Sequence, residues 1–219
     1  GVLLPEQTPR RFRQLRPWVH HGWEMVLIAA FLQESDGPLQ RLGVDAFAAD
    51  YDQQLRAGLD RFGWKPSLLQ DSLERVRRQA VSGDRAGWVA LHRPFKGVQE
   101  RLAGLEEEGV AWSVLTTKGR DFTDELLDAF QLRPVRLDGR ESGPKPEVLL
   151  RLRREWALKG FVEDRRATLE VVLETPGLEG LKCFLADWGY LRPADREGLP
   201  EGLDLLSTSK FAASLAIWP

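Results

Sequence analysis

From Phe95 onward the chain alternates short apolar runs with amphipathic stretches, and this alternation restricts the fold more than any other property of the sequence. Val98, Leu102 and Leu105 mark one face of a helix that ends at Gly109, where a glycine commonly terminates helical backbone. Residues 110–115 read as a strand, Phe122, Leu126, Leu127 and Phe130 as a helix stripe, and residues 134–137 as a weak strand. Residues 146–158 follow as a helix with Val148, Leu149, Leu152 and Trp156 turned inward. Then come a buried strand at 160–162, a helix at 165–173, a strong strand at 181–186 and a minor one at 203–206. The strand runs are mostly apolar and do not alternate with polar residues, which is the pattern of a parallel sheet covered by helices on both faces. Functional groups in such sheets gather at the carboxyl ends of the strands.

The first part of the chain has a different character. From Thr8 to Arg93 it is helical in pattern and rich in Trp, Arg and Gln. Trp18, Gly22-Trp23, Val26-Leu27 and Ala30-Phe31 predict one apolar helix. Phe47, Tyr51, Leu55 and Leu59 recur at four-residue spacing. Lys65-Pro66-Ser67 predicts the start of another helix, carrying Leu69, Leu73 and Val76. Nothing in this part reads as a strand. The 219 residues therefore suit one α/β domain with an inserted helical module.

Composition narrows the function classes. A net charge of −2 gives no basic stripe of the kind nucleic acid requires. No segment reaches the roughly 18 uninterrupted apolar residues of a membrane helix. The single cysteine, Cys183, excludes an internal disulfide, suits a reducing, cytoplasmic setting, and lies in an apolar strand as a core residue.

Three positions in the second half carry chemistry. Thr116 closes the apolar run Val114-Leu115 and is followed by Thr117-Lys118, Lys145 sits in Gly143-Pro144-Lys145-Pro146, and Glu163-Asp164 close the run Phe161-Val162. A phosphate ester is dianionic near neutral pH, and its charge must be offset before a nucleophile can approach. Lys145 supplies a point charge, and Thr116 and Thr117 supply a hydroxyl and backbone amides. Glu163 and Asp164 are hard oxygen donors suited to Mg²⁺, which takes few carboxylates and several waters. Asp164 also precedes a helix, where an aspartate serves as a cap.

Other residues read more plainly. His20-His21 occupy a helix face with no further ligand at metal spacing, and His92 is isolated, so a Ser/His/Asp triad has no support. Glu106-Glu107-Glu108 read as a solvated helix end. Arg10, Arg11, Arg13 and Arg16 read as a solvated basic helix. Lys118, Arg16, Trp18 and Trp23 are the candidates for lining a substrate pocket.

These residues resemble three of the four motifs of the haloacid dehalogenase superfamily, whose commonest members are Mg²⁺-dependent phosphatases. Val114-Leu115-Thr116 matches the second motif, Lys145-Pro146-Glu147 the third and Phe161-Val162-Glu163-Asp164 the fourth, and the likeness spans residues 95–211. The Glu-Asp form of the fourth motif occurs in members related to β-phosphoglucomutase and phosphoglycolate phosphatase. Thr168 stands where many relatives have a further acid, which leaves Glu163 as the supporting carboxylate. Glu163-Asp164-Arg165 with Asp187-Trp188-Gly189-Tyr190 also looks like a subgroup found in cyanobacteria and plants.

The resemblance implies a Rossmann-like parallel sheet with an inserted all-helical cap: residues 1–4 as a remnant of the first-motif loop, 5–93 as the cap and 94–219 as the α/β core. It implies a Mg²⁺-dependent phosphatase acting through an aspartyl-phosphate intermediate on a small phosphorylated metabolite. Lys145 and Thr116 would hold the phosphoryl group, and Asp164 with Glu163 the metal. Both aspartates of the first motif, and the central strand bearing them, are expected upstream of Gly1, and further residues are expected between Leu4 and Pro5. The same residues would serve a phosphomutase, and a catalytically inactive scaffold is the alternative from another class.

Overall fold

A computed structural model describes residues 2–3 and 7–218. The chain divides into two compact units, Leu4–His92 and Gly1–Leu3 with Arg93–Pro219. The expected interruption at Leu4–Pro5 lies outside the described residues.

Among its described residues, the unit Leu4–His92 is helical and carries no strand. Its helices are α1 (Arg10–Leu15), α2 (Gly22–Gln33), α3 (Pro38–Ala49), α4 (Tyr51–Phe62), α5 (Pro66–Gly83) and α6 (Arg85–Ala90). The apolar helix predicted to include Trp18 starts later. Arg16–Trp18 forms a separate 3₁₀ turn containing Pro17, and α2 begins after a capping box in which the Glu24 carboxylate accepts from the amides of His20 (2.8 Å) and His21 (3.1 Å). Leu27, Ile28 and Phe31 of α2 are completely buried with Leu15, Leu39 and Phe47. The four-residue recurrence crosses a break at Asp50 between α3 and α4, and α3 itself kinks at Gly43. The stripe survives both, since Phe47, Tyr51 and Leu55 are buried in the same cluster and Leu59 packs against it. The Tyr51 hydroxyl donates 2.9 Å to the buried Glu24. Burial, reinforced by the Glu24 charge, pushes the Tyr51 phenol far above its ordinary value.

In the other unit, β1 (Val2–Leu3) pairs antiparallel with β2 (Arg93–Pro94). β3 (Ser113–Leu115) pairs in parallel with β4 (Arg136–Asp138). β5 (Gly160–Glu163), β6 (Lys182–Ala186) and β7 (Leu203–Leu206) form a parallel three-stranded sheet with β6 central. Between the strands lie α7 (Val98–Gly104), α8 (Arg120–Ala129), α9 (Lys145–Glu155) and α10 (Arg166–Leu173), and α11 (Thr208–Phe211) follows β7. Leu149 of α9 and Leu169 and Val172 of α10 bury against Phe161, Cys183, Leu185 and Leu203 of the sheet. Leu115, at the end of β3, packs on this cluster too. Leu102 of α7 touches both the α8–β4 core and the core around Phe184 and Leu206, so the two sheet pieces share packing. Among the described residues no ladder joins β3 to β5, and Val114, Leu115 and Val162 are only half-buried. Cys183 is fully buried, and desolvation raises its thiol to about 11, which leaves it unreactive at neutral pH.

Two expectations are corrected. Trp156 is 44% exposed, because α9 ends at Glu155 and the backbone turns extended at Trp156. Glu108 is exposed, as a solvated end would be, but it lies beyond the end of α7 and is engaged. It forms a two-pronged ion pair with Arg101, whose own side chain is buried, and accepts from the amide of Leu215 at 3.1 Å. These contacts, the Arg101 bond foremost, hold its carboxyl below the usual range. The clamp fastens residues 214–218, which place Trp218 against Phe184 and Phe211.

Among the described residues no helix is long and apolar enough to cross a membrane.

Gly58 of α4 tests the helical core. Alanine gains about 1 kcal/mol in helix propensity, but its Cβ would lie 2.3 Å from Phe31 Cζ in a completely packed region, and overpacking costs about 1–3 kcal/mol. Gly58→Ala should therefore lower stability in urea unfolding despite the better helix former.

Candidate active site

The site is built at the exit of β5. Phe161 and Val162 face packed clusters, and the next two residues, Glu163 and Asp164, are carboxylates. Lys145 opens α9 after Gly143, whose φ of 94° favours glycine, and Pro144, which supplies the extended residue preceding the helix. The Lys145 ammonium forms an ion pair with Glu163 Oε2, with side chains 17% and 10% exposed. It also lies 5.9 Å from the centre of the Phe161 ring, within cation–π range. Burial raises the Glu163 pKa, and the charge of Asp164 adds to this while that of Lys145 opposes it.

Asp164 does not cap the following helix. The N-cap of α10 is Arg165, which makes no side-chain capping bond, and Asp164 Oδ2 instead accepts from the amide of Tyr190 at 3.3 Å. Gly189 packs directly on Asp164, so a Cβ placed there would be 2.1 Å from the Asp164 Cβ. The Nε of Arg165 is buried without a hydrogen-bond partner.

Thr116 leaves β3 with its amide donating 3.0 Å to the Asp138 carbonyl. Its Oγ1 accepts from the amide of Lys118 at 3.1 Å, closing a small turn in which Thr117 is exposed and Lys118 half-buried. The Lys118 carbonyl in turn accepts from the Arg140 amide at 3.0 Å, which ties the exits of β3 and β4. Asp138 is held by Arg136 at 2.8 Å.

Of the residues singled out in the sequence, the structure thus brings Lys145, Glu163 and Asp164 into one cluster. Thr116 stands at the neighbouring exit, after a Leu115 that packs on the core of β5. Arg16, Trp18 and Trp23 belong to the helical unit, where Arg16 donates 3.2 Å to the Val19 carbonyl and both tryptophans pack on that unit's core. Gly189 and the Tyr190 amide are the members the sequence reading missed as site components. A glycine just beyond the end of an apolar strand was the available signal.

Among the described residues, no three His, Cys, Asp or Glu side chains are grouped to hold a metal ion. The two adjacent carboxylates nevertheless fit Mg²⁺, which is commonly held by one or two carboxylates with water and substrate phosphate completing its shell. A cation there would also offset the like charges of Glu163 and Asp164.

No protein-family profile and no curated protein matches the chain. Its structure is similar to two solved proteins whose activities are themselves assigned by prediction. One is a phosphatase from Clostridium acetobutylicum, 14% identical, with a TM-score of 0.53 over 72% of this chain and 74% of that one. The other is a beta-phosphoglucomutase from Thermotoga maritima, 13% identical, with a TM-score of 0.53 over 95% of this chain and 92% of that one. At such identities the likeness concerns the fold, and the fold is that of a Rossmann-like parallel core with helical insertions.

Lys145→Met should destabilise the protein by about 3 kcal/mol at pH 8, because it strands a buried carboxylate. Without the cation the already raised Glu163 pKa climbs further above its unfolded value of about 4.3. A raised carboxyl pKa means that the folded state binds the proton more readily than the unfolded one. The loss should therefore shrink as pH falls through the raised value, and urea midpoints of both proteins at pH 8 and pH 5 check this.

Proposed function

We propose that this protein is a Mg²⁺-dependent phosphoric monoester hydrolase that works through an aspartyl-phosphate intermediate on a small phosphorylated metabolite. The observation that carries this reading is the meeting of Lys145, Glu163 and Asp164 at the exit of β5, with Thr116 at the exit of β3. The likeness in fold to the two solved neighbours supports it.

In this reading Lys145 offsets the charge of the transferring phosphoryl group, and Thr116 and Thr117 hold its oxygens through hydroxyl and amide donors. Glu163 keeps Lys145 in place. Asp164, supported by Glu163, would hold Mg²⁺, which when bound shields the phosphoryl charge and fixes its orientation. The nucleophilic aspartate, and a second one acting as general acid and base, would come from sequence preceding Gly1. Their strand would run between β3 and β5, where it would cover Val114, Leu115 and Val162. The helical unit would act as a cap that excludes water and selects the substrate, with Arg16, Trp18, Trp23 and Lys118 as candidate contacts. Affinity with the cyanobacterial and plant subgroup, and a cytoplasmic location, belong to the same reading.

A second reading is phosphomutase. The likeness to the Thermotoga maritima protein, over 92% of that chain, favours keeping it. A requirement for a bisphosphate activator would distinguish the two.

Full-length protein should hydrolyse p-nitrophenyl phosphate with Mg²⁺ and lose that activity with chelator. Asp164→Asn and Lys145→Ala should each reduce kcat about 10²–10³-fold while the far-ultraviolet circular dichroism stays that of the wild type. Absence of an Asp-x-Asp pair before Gly1, or inactivity across a broad phosphate-ester panel, would overturn the proposal.

A further inference from the structure

We infer that the Gly189–Tyr190 peptide is the positioning device for Asp164, so that the turn after β6 sets the metal affinity of a carboxylate at the exit of β5. This rests on the reading of Asp164 as a Mg²⁺ ligand.

The turn is held from several directions. The Asp187 amide donates 3.0 Å to the Leu206 carbonyl of β7, and the Gly189 amide donates 3.1 Å back to Ala186. Asp187 Oδ1 pairs with Arg196 Nε at 2.6 Å, and the Asp187 carbonyl accepts from Arg196 Nη2 at 3.0 Å. The Trp188 ring packs at 4.8 Å on Phe211, and the Tyr190 ring edge-on at 5.9 Å on Phe95. A donor fixed in this way is preorganised, and it directs whatever it bonds without reorganisation. What it bonds is Asp164 Oδ2.

Gly189 makes the approach possible. It is not among the residues of positive φ, so backbone conformation does not demand glycine here. Space does: an added Cβ would lie 2.1, 2.8 and 2.9 Å from Asp164 Cβ, Oδ2 and Cγ. The first of these atoms sits on the backbone and cannot swing aside, so a methyl group must push strand exit and turn apart. Outer partners of metal ligands typically contribute 10–100-fold in affinity.

The test is Mg²⁺ titration calorimetry on full-length wild type, Gly189→Ala and Asp164→Asn, with urea midpoints to follow folding. Gly189→Ala should remain folded and weaken Mg²⁺ binding about 10–100-fold, and Asp164→Asn should abolish it. Independently of any variant at 189, the Tyr190 amide proton should shift on Mg²⁺ addition and move upfield in Asp164→Asn, where a charged acceptor becomes neutral. Gly189→Ala binding within twofold of wild type while Asp164→Asn fails to bind would overturn the positioning role alone. A Tyr190 amide unmoved by both Mg²⁺ and Asp164→Asn would do the same. Unchanged Mg²⁺ affinity in Asp164→Asn would overturn the metal-ligand reading and this inference with it.

Discussion

The arrangement at the β5 exit depends on the ion pair between Lys145 and Glu163. Two charges drawn largely out of water cost several kcal/mol in desolvation, and their attraction returns little more than that. Such a pair adds little net stability, yet either partner alone would be an uncompensated buried charge. Its effect is therefore geometric: the first residue of α9 is tied to the last residue of β5. That tie fixes Lys145 at the strand exit, where Asp164 is the residue after its partner. The raised Glu163 pKa records the same competition, with burial and Asp164 on one side and Lys145 on the other.

Much of this was legible in the sequence, and the reasons are specific. The mostly apolar runs around Phe161, Cys183 and Leu203 became β5, β6 and β7, and the signal is strongest in the central strand, where Cys183, Phe184, Leu185 and Ala186 are all buried. Lys65-Pro66 marked the start of α5 because proline fits the first helical turn. The acid pair was legible because two carboxylates at the end of an apolar strand have few structural explanations. What escaped was contact between distant segments. Trp156 looked like the last member of the α9 stripe, but periodicity does not say where a helix stops. The engagement of Glu108 went unseen because its partners, Arg101 and Leu215, are 7 and 107 residues away. Asp164 looked like a possible cap because its true donor, the Tyr190 amide, is 26 residues on.

The helical unit repeats the lesson with a different chemistry. A buried carboxylate at the start of α2 would be costly alone, yet Glu24 accepts two backbone amides and the Tyr51 hydroxyl. One acid thus closes the open end of α2 and fastens α4 to it. In the sequence Tyr51 is one member of the four-residue stripe and nothing singles out Glu24, and only packing turns them into one polar knot beside an apolar core.

The clamp at Glu108 has a consequence for the far end of the chain. Residues 214–218 lie on the aromatic surface of Phe184 and Phe211 because one carboxylate accepts the Leu215 amide while it also neutralises Arg101. Peel that tail away and Glu108 loses the Leu215 amide, Arg101 loses the Trp218 ring 6.0 Å away, and two phenylalanines lose their aromatic cover. The last turn works as a keystone, and a fusion or trimming that disturbs it would be felt in the hydrophobic layer beneath β6 and β7.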